Sequence, residues 1–123
     1  MLRIALAQCH QTADFDANAA TIFRFLDRAI AAQAQIVCFP EAQTVGYRVD
    51  ISDPRAPCPV AQLDKLHAEV ARRCGDARIA CVLGTEIPSP VGKPYNSALI
   101  IDESGQILGT HHKTRLTPLD AVA

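Results

Sequence analysis

An excess of charge of one sign is missing from this chain. Twelve Lys and Arg against thirteen Asp and Glu leave a formal net charge of −1, and the isoelectric point lies near 6.4. The basic residues are scattered, with Arg72-Arg73 the only adjacent pair. Nucleic acid and anionic membrane surfaces are recognised through basic patches, so neither is an expected partner. Long hydrophobic runs are missing too. The longest are strand-length, well short of the roughly 20 residues a membrane helix needs, and Gln8, Cys9 and His10 cut the first apolar stretch too short for a signal peptide. A cytoplasmic location is expected. The five cysteines, Cys9, Cys38, Cys58, Cys74 and Cys81, form no Cys-x-x-Cys pair. Their odd number and irregular spacing, without an export signal, argue against a disulfide framework. His111-His112 is not joined to a cysteine at metal-ligand spacing. A glycine-rich strand-to-helix loop that could cradle phosphate is also missing, which counts against a flavodoxin-like binding domain.

What is present is an ordinary globular composition, 49% apolar and 20% charged. With 123 residues and no repeat, low-complexity segment or internal linker, the chain is one domain at most. Arg3 to Gln8 reads as a first strand. Asp14 or Asp16 can cap a following helix, in which Ile22, Leu26, Ala29, Ile30 and Gln33 recur at helical spacing. A second helix begins after Pro59, with Leu63, Leu66, Val70 and Cys74 on one face and Gly75 as its expected C-terminal cap. Arg78 to Gly84 is a further strand ending in Thr85-Glu86, and Pro88, Pro90, Gly92 and Pro94 force a turn-rich link beyond it. Tyr95 to Asp102 and Gln106 to Lys113 pair around Glu103-Ser104-Gly105 as a hairpin. The order strand-helix-strand-helix-strand-hairpin predicts an α/β fold: a mixed sheet with flanking helices. Cys38 and Cys81 fall in apolar strands and Cys74 on an apolar helix face, as inert core thiols would.

The run Ile36-Val37-Cys38-Phe39-Pro40-Glu41 is the most informative segment. Five uncharged apolar residues predict a buried strand. Pro40 cannot donate to a sheet ladder, so pairing should stop there and release Glu41 at the strand's C-terminal edge, where open α/β sheets place ligands. Beside Phe39 and Pro40 the carboxylate is expected to be partly desolvated, which suits a general base. Residues 42–59, with Gly46, Pro54, Pro57 and Pro59, form a long irregular loop of the kind that carries function.

Phe39-Pro40-Glu41, Gly46-Tyr47, Tyr95-Asn96-Ser97-Ala98 and His112-Lys113-Thr114-Arg115-Leu116, in that order, resemble the nitrilase, or carbon-nitrogen hydrolase, superfamily. Arg3 to Gln8 is similar to that family's first strand, and Asn18 fits its first helix. His112 departs from the pattern, since many relatives carry arginine there.

The resemblance implies an αββα sandwich, of which residues 1–123 would supply the N-terminal part: a partial domain lacking the C-terminal half. It also implies a Glu-Lys-Cys triad. Glu41 would be the general base and Lys113 the cation that stabilises the tetrahedral intermediate, while Tyr47 would line the substrate pocket. The nucleophilic cysteine would lie beyond Lys113, outside this chain. The implied substrate is a small amide or nitrile, hydrolysed without metal or organic cofactor. Without its complement the chain should leave at least some of the strand residues Ile4, Leu6, Val37, Phe39, Val82, Leu99 and Ile101 facing water and self-associate, or pair with a complementary C-terminal half. The alternative is a non-catalytic module that binds a partner subunit or small ligand. Cys9 is the resident thiol best placed to replace the missing nucleophile, although it occupies the wrong position for the family. Glu86 also follows a strand and reads as a loop carboxylate. His111 and His112 should face opposite ways along their strand, and neither receives a catalytic role.

Overall fold

The computed structural model describes residues 1–122, the last of them by its backbone alone. The elements run β1 (Ile4–Leu6), α1 (Phe15–Ala31), β2 (Ile36–Cys38), α2 (Val60–Ala77), β3 (Ala80–Ile87), β4 (Tyr95–Ile101), β5 (Ile107–His112) and α3 (Pro118–Val122). The five strands form one sheet in chain order. β1, β2 and β3 are parallel, and β4 and β5 are added antiparallel. This is the mixed α/β sheet that the element order predicts. Among the described residues no helix is long and apolar enough to cross a membrane.

Local chemistry explains the helices. Asp14 caps α1, its carboxylate accepting from the Ala17 backbone N–H at 3.1 Å, which satisfies a donor the first turn leaves free. Ile22, Leu26 and Ala29 are buried along one stripe of α1, as are Leu63, Leu66, Val70 and Cys74 on α2. Burying each large aliphatic side chain among them contributes roughly 1.5–3 kcal/mol. α2 runs past Gly75 and ends at Arg78, which takes the left-handed conformation at φ 55°. The cap expected at Gly75 is therefore displaced by three residues. Gly75 serves close packing instead, since a Cβ there would lie 2.7 Å from the Ser104 carbonyl oxygen in the hairpin turn.

The strand registers give the sheet two different faces. Ala5, Val37, Cys81 and Ile101 lie side by side across four strands. Together with Leu83 and Leu99 they join the helix residues in one core. The alternate row of Leu6, Cys38, Val82 and Ile100 faces away from the helices. Ile4 and Leu6 on that side are 54% and 74% exposed. The helices thus cover one side of the sheet and leave an apolar opposite side.

One close approach positions everything after β2. Gly84 in β3 lies against the chain leaving β2, where an added Cβ would sit 1.9 Å from the Pro40 carbonyl oxygen and 2.8 Å from the Ala42 nitrogen. Neither atom belongs to a flexible side chain, so only the backbone on either side of Glu41 can yield. Gly84→Ala is expected to cost about 3 kcal/mol or more, measured by denaturant unfolding. A loss below about 1 kcal/mol would mean that β3 does not support this turn.

Candidate active site

Glu41 lies just beyond β2, Asn96 lies in β4, and Lys113 directly follows β5. The Lys113 backbone N–H donates to the Asn96 carbonyl at 2.8 Å, so the two side chains leave neighbouring strands at one sheet end. Both reach Glu41. Its Oε1 accepts from Asn96 Nδ2 at 2.6 Å and from Lys113 Nζ at 3.0 Å. The Glu41 carbonyl is held by Gln11 Nε2 at 2.6 Å, and Ala42 takes a left-handed φ of 55°, unusual for a residue other than glycine. The Glu41 side chain is 53% exposed. The desolvation expected from Phe39 and Pro40 is not supplied, because Phe39 turns into the core.

Lys113 is shared between two carboxylates. Its Nζ also donates to Asp120 Oδ2 at 2.9 Å. The Thr117 backbone N–H and hydroxyl both donate to Asp120 Oδ2 at 2.9 Å, and Tyr47 donates its phenol proton to Oδ1 at 2.5 Å. The phenol bond first, and Lys113 next, hold the Asp120 carboxyl well below the usual carboxylate range. The bonds to Asp120 and Glu41 push the Lys113 ammonium up. The bond to Asp120 pushes the Tyr47 phenol up. Lys113 is therefore held as a cation.

A cavity of about 350 Å³ opens beside this cluster, lined by Tyr47, Val49, Tyr95, Asn96, Lys113 and Leu116 among others. The combination of apolar walls and a few convergent polar groups is that of a small-ligand site. Tyr47 lines this cavity, and its ring centroid lies 5.4 Å from Lys113 Nζ.

Other candidates fall elsewhere. Glu86 lies within β3 rather than in a loop, 5% exposed. It pairs bidentately with Arg48, whose Nη2 donates to Oε2 at 2.9 Å and whose Nε donates to Oε1. Arg48 also donates to the carbonyls of Asp53, Ala56 and Pro57, so all five of its N–H groups are used and the irregular 48–57 segment is pinned. Glu86 is thus committed to a structural pair. Cys9 packs half-buried against the core, and burial pushes its thiol up, which lowers the thiolate fraction a nucleophile needs. His111 is exposed, whereas His112 is half-buried, bonded through Nδ1 to Ser97 Oγ at 2.6 Å and stacked on Tyr95 at 4.2 Å. Among the described residues no group of three His, Cys, Asp or Glu side chains is placed to hold a metal ion.

Sequence reasoning missed Asp120. It lies in a five-residue helix, too short for a periodic signal, and its only trace is a position seven residues beyond Lys113. Asn96 falls inside a recognised motif, yet its bond to Glu41 follows from the β3–β4 pairing and the close approach of the chain after β2 to Gly84. The Tyr47–Asp120 bond, present at neutral pH, should be lost as pH rises through a tyrosine pKa above the ordinary value of about 10. Asp120→Asn should bring that titration back toward about 10, read by ultraviolet absorbance with Tyr95→Phe to isolate the signal. An unchanged Tyr47 titration would mean that Asp120 does not hold the phenol.

The chain is similar to known proteins in sequence family and in fold. The family model for carbon-nitrogen hydrolases matches residues 3–123. The amidase NitN from Nesterenkonia sp. AN1 is 25% identical, with a TM-score of 0.81 over 98% of this chain and 48% of its own. A cysteine-to-alanine mutant of the amidase from the same organism, in complex with butyramide, is also 25% identical, with a TM-score of 0.81 over 99% of this chain and 47% of its own. A glutamate-to-glutamine mutant carrying acrylamide on its active-site cysteine is 24% identical, with a TM-score of 0.83 over 98% of this chain and 48% of its own. The chain thus spans about half the length of the solved structures it matches. No curated protein sequence matches it significantly. By the family match over nearly its whole length, the chain belongs to the carbon-nitrogen hydrolase family, of which it represents an N-terminal portion.

Proposed function

We propose that residues 1–123 supply the general base and the stabilising cation of an amidase- or nitrilase-type active site, whose nucleophilic cysteine belongs to a complementary C-terminal half. The single observation that carries this reading is the 3.0 Å contact between Glu41 and Lys113 beside a small cavity. The two groups approach from strands separated by 72 positions in the chain, at the sheet edge where α/β folds place their chemistry.

In this reading the cysteine thiol gives its proton to Glu41, and the thiolate attacks the amide carbon. As the carbon-sulfur bond forms, the carbonyl π electrons move to oxygen, and the fixed Lys113 ammonium stabilises the developing charge. Collapse breaks the carbon-nitrogen bond, and the leaving amine takes the proton from Glu41. Water then adds to the thioester, again giving its proton to Glu41; collapse breaks the carbon-sulfur bond and releases the acid, and Glu41 returns the proton to the thiolate. Tyr47 and Asp120 hold the lysine in place throughout. The 53% exposure of Glu41 fits this scheme, since its remaining carboxylate surface stays available to a thiol.

The apolar sheet face around Leu6, Cys38, Val82 and Ile100 fits a covering second sheet from that complementary half. Leaving such residues in water forfeits roughly 1.5–3 kcal/mol for each large side chain, so the chain alone should associate with itself through this face. Analytical ultracentrifugation should find oligomers that bind an apolar dye. A dye-silent monomer with a sharp melt would favour a self-sufficient, non-catalytic module.

The isolated chain should turn over no amide or nitrile. Joined with the C-terminal half of the Nesterenkonia amidase, it should gain activity that Glu41→Gln abolishes. Lys113→Ala should lower kcat by about 100-fold or more with a smaller change in KM, because its charge matters most in the transition state. An effect of Lys113→Ala confined to KM would refute the role assigned to it.

A further inference from the structure

A buried hydroxyl relay runs behind the turn that carries Glu41. Thr44, three residues after Glu41, bonds through Oγ1 to Thr85 Oγ1 at 3.0 Å, and Thr85 Oγ1 bonds to His67 Nε2 at 2.8 Å. The relay joins the loop, β3 and α2. Thr44 and Thr85 are fully buried, and His67 is 8% exposed. The Thr44 backbone is fixed as well, its N–H donating to the Gly84 carbonyl at 3.3 Å and its carbonyl accepting from Asn18 Nδ2 at 3.2 Å.

We propose that His67, as a neutral imidazole accepting at Nε2, is a positioning residue that sets the turn at Ala42 and so aims Glu41 at Lys113; this rests on the catalytic reading of Glu41.

The direction of the relay follows from counting protons. Thr85 is the only hydrogen-bond partner of the Thr44 hydroxyl among the described residues. If His67 Nε2 donated, Thr85 would either donate onward to Thr44, orphaning the buried Thr44 hydroxyl proton, or accept from Thr44 as well, orphaning its own. Such an orphaned group is costly. If Nε2 accepts, Thr85 donates to His67 and Thr44 donates to Thr85, and every hydroxyl proton in the relay is bonded. Nδ1 then carries the ring proton. Among the described residues the one side-chain polar atom both buried and without a partner is Gln43 Oε1, so Nδ1 can give its proton to water. Burial lowers the proton affinity of His67, consistent with the neutral ring.

The relay also has something to hold. Ala42 in a left-handed conformation stores strain that the surroundings must over-determine. Gly84 restrains that turn on the Pro40 side, and Thr44 restrains it two residues beyond Ala42. His67 therefore acts at a distance, through two hydroxyls, on the backbone that presents the carboxylate.

The test reads the relay directly in the unmodified full chain. Nitrogen-15 NMR of labelled histidine, run on the solid so that self-association is immaterial, should give His67 an unprotonated Nε2 and a protonated Nδ1. The reverse tautomer would overturn the proposal. Hydrogen exchange of the 41–47 segment, followed by mass spectrometry, should then rise about tenfold in His67→Leu and return to within about twofold of the parent in His67→Gln, whose side-chain oxygen can accept from Thr85. Exchange unchanged in His67→Leu, or equally raised in both variants, would overturn it. These readouts do not depend on turnover. An inactive reconstituted enzyme with the expected tautomer and exchange would count against the hydrolase reading and leave the relay standing. In an active one, His67→Leu should lower kcat with little change in KM, and His67→Gln should restore it; an unaltered kcat in His67→Leu would contradict the link to Glu41.

Discussion

The position of Lys113 between two carboxylates is the interaction on which the site depends. An ammonium bonded to both Glu41 and Asp120 cannot readily leave either. Each contact draws in another part of the chain: Asp120 brings Tyr47 and Thr117, and Glu41 brings Asn96. Three stretches far apart in sequence, residues 41–47, Asn96 and residues 113–120, thus meet around one charge. Isolated exposed ion pairs contribute little, but here one ammonium shares two carboxylates that are themselves bonded to Asn96, Tyr47 and Thr117. Its importance lies in geometry, because electrostatic catalysis requires charges already fixed where the transition state needs them.

The sheet explains why the meeting point is there. β2 and β3 run parallel, β3 continues to Ile87 beyond the last pair, Cys38 with Val82, and Gly84 in that extension lets the chain leaving β2 cross directly against β3. β4 and β5 then bring Asn96 and Lys113 to the same end by antiparallel pairing. The helices that would shield a parallel sheet on both faces occur here on one face only. The row on the other side is apolar, which on the proposed reading is where a second sheet would pack.

Much of this was legible in the sequence because it rests on local rules. The cap at Asp14, the stripe of Ile22 and Leu26, the stop at Pro40 and the hairpin around Gly105 each follow from periodicity or backbone chemistry within a few residues. Glu41 and Lys113 were identified through motif order. What escaped was set by tertiary contact. The end of α2 shifted to Arg78 because the packing of Gly75 against Ser104 lies outside the helix. Glu86 reads as a loop carboxylate along the chain, but β3 extends through it and Arg48 pairs with it. Asp120 and the His67–Thr85–Thr44 relay join positions with no common spacing, so no pattern along the chain announces them. The exposure of Glu41 likewise depends on which way Phe39 turns.

The central claim is that Glu41 and Lys113 serve a cysteine supplied from outside residues 1–123. Intact-mass analysis tests it most directly. The chain, reconstituted with the C-terminal half of the Nesterenkonia amidase, would be treated with fluoroacetamide and each component weighed. The account predicts a single acetamide adduct on the active-site cysteine of the added half, with Cys9, Cys38, Cys58, Cys74 and Cys81 of this chain unmodified. An adduct on Cys9, or none on the added half of an assembled complex, would contradict it.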